Sequence, residues 1–318
     1  MRFTLIIFFS IYFINIHSQQ DHQVSQFMYD NMSFNPASVG SRGGICATGI
    51  LREQWTGIDG SPRDIILNAH MPFKLFKKDH GVGLSFFNET IGNYEDIDLR
   101  LAYAYRANVG DGKLGIGVGV NFQNRGINPD WLTINEIMGG AGEQSDIGIP
   151  GTDEKIWATD VNFGIFYYTE ELYFGISSTH INESSFKYVN ESSDEGTIKI
   201  KRHYYLTSGY TMQLANPSFE LVPSVLFQSD GAAHKIDLNA QLVYNKKFWG
   251  GVSIRPGSSF IGMIGFEILN GAKVGFAYDF PTSAITNYYK TSYEILLNYC
   301  FKIGVEKSNQ KYKSIRFL

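Results

Sequence analysis

Between its turns and loops this chain places apolar residues at every second position, segment after segment. Residues 113–123 carry the pattern: Leu114, Ile116, Val118, Val120 and Phe122 alternate with Lys113, Gly115, Gly117, Gly119, Asn121 and Gln123. Successive side chains of a strand point to opposite faces, so each such segment has one greasy face and one small or polar face. After the N-terminal region no stretch approaches the roughly 18 uninterrupted apolar residues of a helical span. Strands are therefore the elements with which this chain can meet a bilayer. A soluble barrel or sandwich burying the same stripes is the competing fold.

Reading the alternation between turn signals predicts about fourteen strands. They fall near residues 45–55, 63–72, 81–90, 97–106, 113–123, 158–168, 171–180, 200–213, 218–228, 235–245, 248–255, 259–269, 272–280 and 291–303. Most have the length a tilted strand needs to cross hydrocarbon. Turns after even-numbered strands are mostly short: Thr169-Glu170, Ala215-Asn216-Pro217, Lys246-Lys247 and Asn270-Gly271. Connections after odd-numbered strands include the long segments 124–157 and 181–199 and the moderate segment 281–290. Short turns on one side and long loops on the other are the mark of an outer-membrane barrel. The expectation is an all-β fold, a transmembrane antiparallel up-and-down β-barrel of about 14 strands with N- and C-termini periplasmic.

The two faces keep their chemistry from strand to strand. Lipid-facing sets are Leu99, Leu101, Tyr103, Tyr105; Val161, Phe163, Ile165, Tyr167; Ile236, Leu238, Ala240, Leu242, Tyr244; and Val274, Phe276, Tyr278, Phe280. Exposing Arg or Lys to mid-bilayer lipid costs about 2–4 kcal/mol each, so charged residues belong on the other face. That face is expected to hold Arg52, Arg100, Arg106, Asp160, Lys235, Asp237, Arg255, Glu267, Lys273, Asp279 and Glu294. Both signs are present, which favours an interior charge network filling the barrel over an ion-selective open pore.

Composition agrees. The 33 Gly, 19 Tyr and 24 Phe suit a crowded barrel interior and interface girdles, and a net charge of −4 makes no case for nucleic acid. Arg2, the apolar run Phe3 to Ile14 and the polar stretch to Ser18 read as a signal peptide over 1–18. The expected organisation is then a periplasmic or plug segment at 19–43, the barrel at 44–304 and a periplasmic tail at 305–318.

Residues 21–40, DHQVSQFMYDNMSFNPASVG, and REQWTGIDGSP at 52–62 resemble the PorP/SprF family of type IX secretion system outer-membrane proteins. HYYLTSGY at 203–210, FELVPSVLFQ at 219–228, FWGGVSIRP at 248–256, AYDF at 277–280, YEILLNY at 293–299 and SIRFL at 314–318 follow in the family's order. His22 stands where the family usually has Pro, which relaxes the rigidity of that segment, and Tyr293 where a His often precedes Glu-Ile. The resemblance implies a non-enzymatic barrel, without cofactor, serving type IX export and gliding in the Bacteroidota. It also implies its partners: other type IX secretion components, a secreted adhesin or its C-terminal sorting domain, and a periplasmic ring or peptidoglycan-associated protein.

Several residues are singled out. Phe27, Tyr29 and Phe34 make the N-terminal segment too aromatic for a floppy tail; it either packs inside the barrel or anchors a partner. Trp55, with Gly57, Gly60 and Pro62, sits at the first external turn, as an interface anchor or a recognition loop. Trp131 lies in the acidic loop 124–157, a lid, an adhesin contact or a solvated loop; its Asp, Asn and Gly lack EF-hand spacing, so no metal is assigned. Cys46 and Cys300 share lumen parity in the first and last strands, and the sequence leaves open a seam disulfide or two buried thiols. The Asn-x-Ser triplets at Asn182 and Asn190 are chance matches in a bacterium.

Enzyme signals are absent from the sequence. The histidines are dispersed without metal-ligand spacing. Ser178 and His180, two apart on an expected strand, share a face but lack a nucleophile elbow. The competing function is a transporter or channel for a hydrophobic or small solute, by fold analogy with fatty-acid-transport barrels.

Overall fold

The computed structural model describes residues 21–127, 154–189, 195–269, 271–282 and 291–302. Trp131 and most of its loop, the signal-peptide region and the C-terminal tail therefore lie outside the described residues.

Seventeen strands are present among the described residues: β1 Gly44–Glu53, β2 Arg63–Leu75, β3 Lys78–Ile91, β4 Tyr94–Val109, β5 Gly112–Ile127, β6 Glu154–Tyr168, β7 Leu172–Thr179, β8 Ser185–Val189, β9 Glu195–Lys199, β10 His203–Tyr210, β11 Met212–Gln213, β12 Phe219–Ser229, β13 His234–Tyr244, β14 Phe248–Arg255, β15 Ser259–Leu269, β16 Ala272–Pro281 and β17 Ser292–Lys302. Fourteen of them close into one antiparallel barrel, each pairing with its neighbours along the chain. The circle closes twice in ways that a strand list cannot show. β10 pairs with β12, and β1 pairs with β17 over ten residues, from Gly44 opposite Lys302 to Glu53 opposite Tyr293. Closure leaves no unpaired sheet edge to face lipid, the condition for crossing a bilayer as strands. The fourteen barrel strands are the fourteen expected from alternation, although β2 to β6 run longer. β8 and β9 form a separate hairpin in the external connection between β7 and β10.

The parity expectation holds around the wall. Leu101, Phe163, Leu238 and Phe276 are 51%, 42%, 49% and 40% exposed, while Arg100, Asp160, Asp237 and Asp279 on the opposite face are buried. Aromatic side chains gather at the periplasmic rim, where His80 stacks on Phe73 and its Nδ1 lies 2.7 Å from the Tyr103 hydroxyl.

One parity expectation fails. Strand β7 ends at Thr179, and His180 takes a left-handed φ of +53°. The reversal turns His180 into the lumen against Asp160, whereas Gly175, Ser177 and Thr179 are the buried positions of β7. Ser178 and His180 therefore do not share a face.

Candidate functional site: a plugged lumen

A segment without period-2 pattern needs a partner for its buried backbone and apolar side chains, and residues 21–43 find it inside the barrel. From Asp21, the first described residue, the segment runs in the external half of the lumen. It descends through a 3-10 turn, Phe27–Tyr29, to the periplasmic mouth, and rises again in the single helical turn α1, Asn31–Phe34. A second 3-10 turn, Pro36–Ser38, leads down to β1. Val24, Phe27, Met28 and Phe34 pack against Ile50, Ile66, Leu226, Ile261 and Leu296 from the wall. An apolar cluster, flanked by buried charges, therefore fills the centre of the lumen.

Glycines on the wall admit this plug. A Cβ on Gly115 would sit 2.7 Å from the Ala37 carbonyl oxygen, and one on Gly175 2.9 Å from Asn35 Nδ2. On Gly81, Gly117 and Gly164 it would collide with Val39, Ala37 and Asn35. The alternating glycines of β5 thus make room for backbone. Asn35 explains the Asn-Pro-Ala step locally. Its side-chain oxygen accepts from Ala37 N at 2.9 Å, which caps the Pro36–Ser38 turn, while Nδ2 donates to the Ile165 carbonyl at 2.9 Å.

Charges fasten the plug. Ser25 N and Gln26 N donate to the Glu294 carboxylate at 2.7 and 2.9 Å, and Ser25 Oγ donates to Asp279 at 3.1 Å. Arg52 joins the same group, 2.9 Å from Asp279 and 3.5 Å from Glu294, and donates to Ser25 Oγ at 2.8 Å. Arg255 lies 2.6 Å from Asp237 and 3.5 Å from Asp279. On the opposite wall Arg100 donates to the Ser33 carbonyl and Arg106 to the Ser38 carbonyl. Asp30 accepts from Ser33 Oγ and from Asn68. Asp21, the outermost residue of the plug, accepts from the Tyr205 hydroxyl and lies 3.0 Å from His22 Nδ1. Burial would raise the Asp21 carboxyl, but the hydrogen bond and charge of His22, with His203 and His180 nearby, hold it well below the usual carboxylate range.

The residues singled out from sequence fall into several groups. Arg52, Arg100, Arg106, Asp160, Asp237, Arg255, Asp279 and Glu294 are buried in the lumen. Lys235 reaches the lumen too, but its ammonium has no hydrogen-bond partner among the described residues. Glu267 and Lys273 sit at the periplasmic mouth, with Lys273 Nζ over the rings of Tyr29 and Trp249 at 5.6 and 5.9 Å. Phe27 and Phe34 are 0% and 1% exposed, so they pack the plug and offer no surface to a partner, which corrects the reading of them as an anchor. Tyr29 instead lines a periplasmic vestibule of about 980 Å³ together with Arg42 and Lys273. Trp55 is 37% exposed, and its backbone N–H donates to Ser292 Oγ, which ties the first external loop to β17. His22 is not loose: it is buried and stacked on Phe87 and Phe34 at 4.6 and 5.8 Å. Cys46 and Cys300 stand opposite each other in register and are joined by a disulfide across the seam.

Sequence reasoning missed Asp21, Asn35, Arg42 and the glycine cradle as parts of one site. Arg42 Nη2 donates to the Tyr29 and Met28 carbonyls at 2.8 and 3.3 Å, closing the lower bend of the plug. The usable signal was the run of glycines at lumen parity on β5, which marks a surface approached closely by something else.

A closed fourteen-strand barrel with a greasy exterior and a filled, charged lumen defines an outer-membrane protein that crosses the bilayer by its wall. The chain belongs to the PorP/SprF family, described as the type IX secretion system membrane protein, whose model matches residues 16–299. No curated protein matches the sequence. Among solved structures it is similar to the Acinetobacter baumannii outer-membrane protein Omp33, at 8% identity and a TM-score of 0.48, covering 81% of this chain and 98% of that one. It is also similar to the monoaromatic hydrocarbon channel CymD, at 12% identity, a TM-score of 0.47 and 86% and 93% coverage. The Pseudomonas putida toluene transporter TodX shares 9% identity, with a TM-score of 0.44 and coverage of 85% and 92%.

Proposed function

We propose that this protein is a scaffold of the type IX secretion and gliding system, which supports secretion or surface attachment of an adhesin through its external loops and docks periplasmic machinery at its inner rim. Within that reading residues 1–18 are removed as a signal peptide, and residues 305–318 form a periplasmic tail. Trp55 and Trp131 are the proposed external contacts, and Tyr29, facing the vestibule, the internal one. The observation that carries the reading is the filled lumen, since a barrel occupied by its own N-terminal segment and buried ion pairs is built to hold partners at its ends rather than to pass solute. Membership of a secretion family supports it. Transport of a hydrophobic solute, the competing reading, is compatible with a plug and calls instead for a hydrophobic substrate groove and a lateral opening, whereas the fourteen barrel strands are paired all round the wall.

Affinity purification of the tagged protein from native outer membrane, followed by mass spectrometry, tests the proposal. Recovery of other secretion components together with a large secreted adhesin is the expected result. Saturable uptake of a hydrophobic solute, with no such proteins recovered, would replace the scaffold reading by transport.

A further inference from the structure

Several tight turns of the wall begin with glycine or asparagine at positive φ: Gly92 after β3, Gly110 after β4 and Asn245 after β13. The periplasmic turn from β2 to β3 does not. Leu75 stands opposite Lys78, and the two residues between them, Phe76 and Lys77, have φ of +48° and +62°. A two-residue turn with both φ positive has type I′ geometry, which suits Asn-Gly because a Cβ crowds the backbone there. A bulky aromatic in that place carries strain. Packing against the barrel does not offset it. Phe76 is 88% exposed, more than any other large apolar side chain among the described residues.

The outer face of the same hairpin is layered. Met71, opposite Val82, continues the exposed apolar wall. Phe73 comes next, opposite His80, whose ring lies 5.4 Å from Phe73, 5.7 Å from Tyr103 and 5.5 Å from Tyr105. Leu75 and Lys78 follow, and Phe76 with Lys77 forms the tip. Apolar residues, then an aromatic band, then cations is the order in which a wall leaves hydrocarbon and meets headgroups. Lys77 and Lys78 form no ion pair among the described residues. Neighbouring Asp79 does not neutralise them, because Lys113 holds its carboxylate at 2.7 Å.

We propose that the β2–β3 tip anchors the barrel to anionic phospholipid of the periplasmic leaflet, with Phe76 among the headgroups and Lys77 and Lys78 on their phosphates. Lysine ammonium groups on flexible stems suit phosphates whose positions are not fixed. Continuity favours lipid over an acidic protein, since the tip prolongs a face already committed to the bilayer. The strained turn then has a use: it presents an aromatic ring beyond the last strand pair, at the depth where such rings settle. The anchor is independent of which proteins dock at the two ends.

The test compares wild type, Phe76→Gly and the double variant Lys77→Gln/Lys78→Gln as full-length barrels in detergent, folding being verified by heat-modifiable gel mobility. Native mass spectrometry reads the binding of phosphatidylglycerol against phosphatidylcholine. Urea unfolding is followed with and without phosphatidylglycerol. Wild type is expected to prefer phosphatidylglycerol, and the lysine variant to lose roughly fivefold in affinity for each charge removed. Glycine accepts positive φ, so Phe76→Gly is expected to unfold no earlier than wild type without lipid, yet to gain less when phosphatidylglycerol is added. That opposition separates anchoring from a purely structural role of the ring. Equal binding of the two lipids by wild type, or phosphatidylglycerol binding unchanged in both variants, would overturn the proposal. An acidic periplasmic protein captured by wild type and lost from both variants, without any lipid preference, would also overturn it and assign the tip to protein docking.

Discussion

Arg52 joins two buried carboxylates of the wall to the plug, since it meets Asp279, Glu294 and Ser25 together. Replacing one partner of a buried ion pair leaves the others uncompensated, at a cost of about 3–5 kcal/mol. Arg52→Met is therefore expected to lower the unfolding free energy by that order in urea titrations of the detergent-solubilised barrel; an unchanged midpoint would contradict the assignment. Gly117→Val tests packing instead of charge. Its side chain collides with Ala37, so the plug is expected to loosen and become cleavable by added protease while the wall stays folded. Protease resistance equal to wild type would count against the cradle. His22 adds a pH dependence. Burial pushes its imidazole down, but the hydrogen bond and charge of Asp21 outweigh that and raise it above its ordinary 6.5. A group raised on folding contributes fully below its unfolded value and loses the contribution as pH rises through its folded one. The stability gap between wild type and His22→Gln is thus predicted to be widest in mild acid and to narrow above neutrality, and a gap independent of pH would exclude the ion pair.

At the scale of elements, the seam between β1 and β17 makes a covalent prediction. With Cys46 bonded to Cys300, alkylation without prior reduction adds no label to the intact mass, whereas two labels would show free thiols. This scale also shows what the chain's pattern reveals and what it hides. Alternation is a local property, so all fourteen wall strands, and the lumen parity of Arg52, Asp279 and Glu294, are legible from residues that lie close together in sequence. Pairing is not local. Ser25 and Glu294 are separated by 269 positions, and nothing near either one announces the other. Cys46 and Cys300 could be matched only by assuming that the circle closes. The plug has no period because its contacts point in every direction, and its position shows only as glycine on the wall that faces it. His180 was misplaced because one left-handed residue ends the alternation, which the pattern alone does not mark.

For the whole molecule, the fold divides labour between surfaces. The wall meets lipid through Leu101, Phe163, Ile264 and their neighbours, the lumen is occupied by residues 21–43, and the two ends are the docking surfaces of the proposed scaffold. Membership of the type IX secretion family fits a body of this kind, fixed in the outer membrane. The whole account rests on the plug sealing the lumen. Planar-bilayer recording of the purified full-length barrel measures this most directly. The account predicts that insertion gives no stable conductance at moderate voltage, and that deleting residues 21–38 produces one. Steady, long-lived open currents from the intact protein would contradict it.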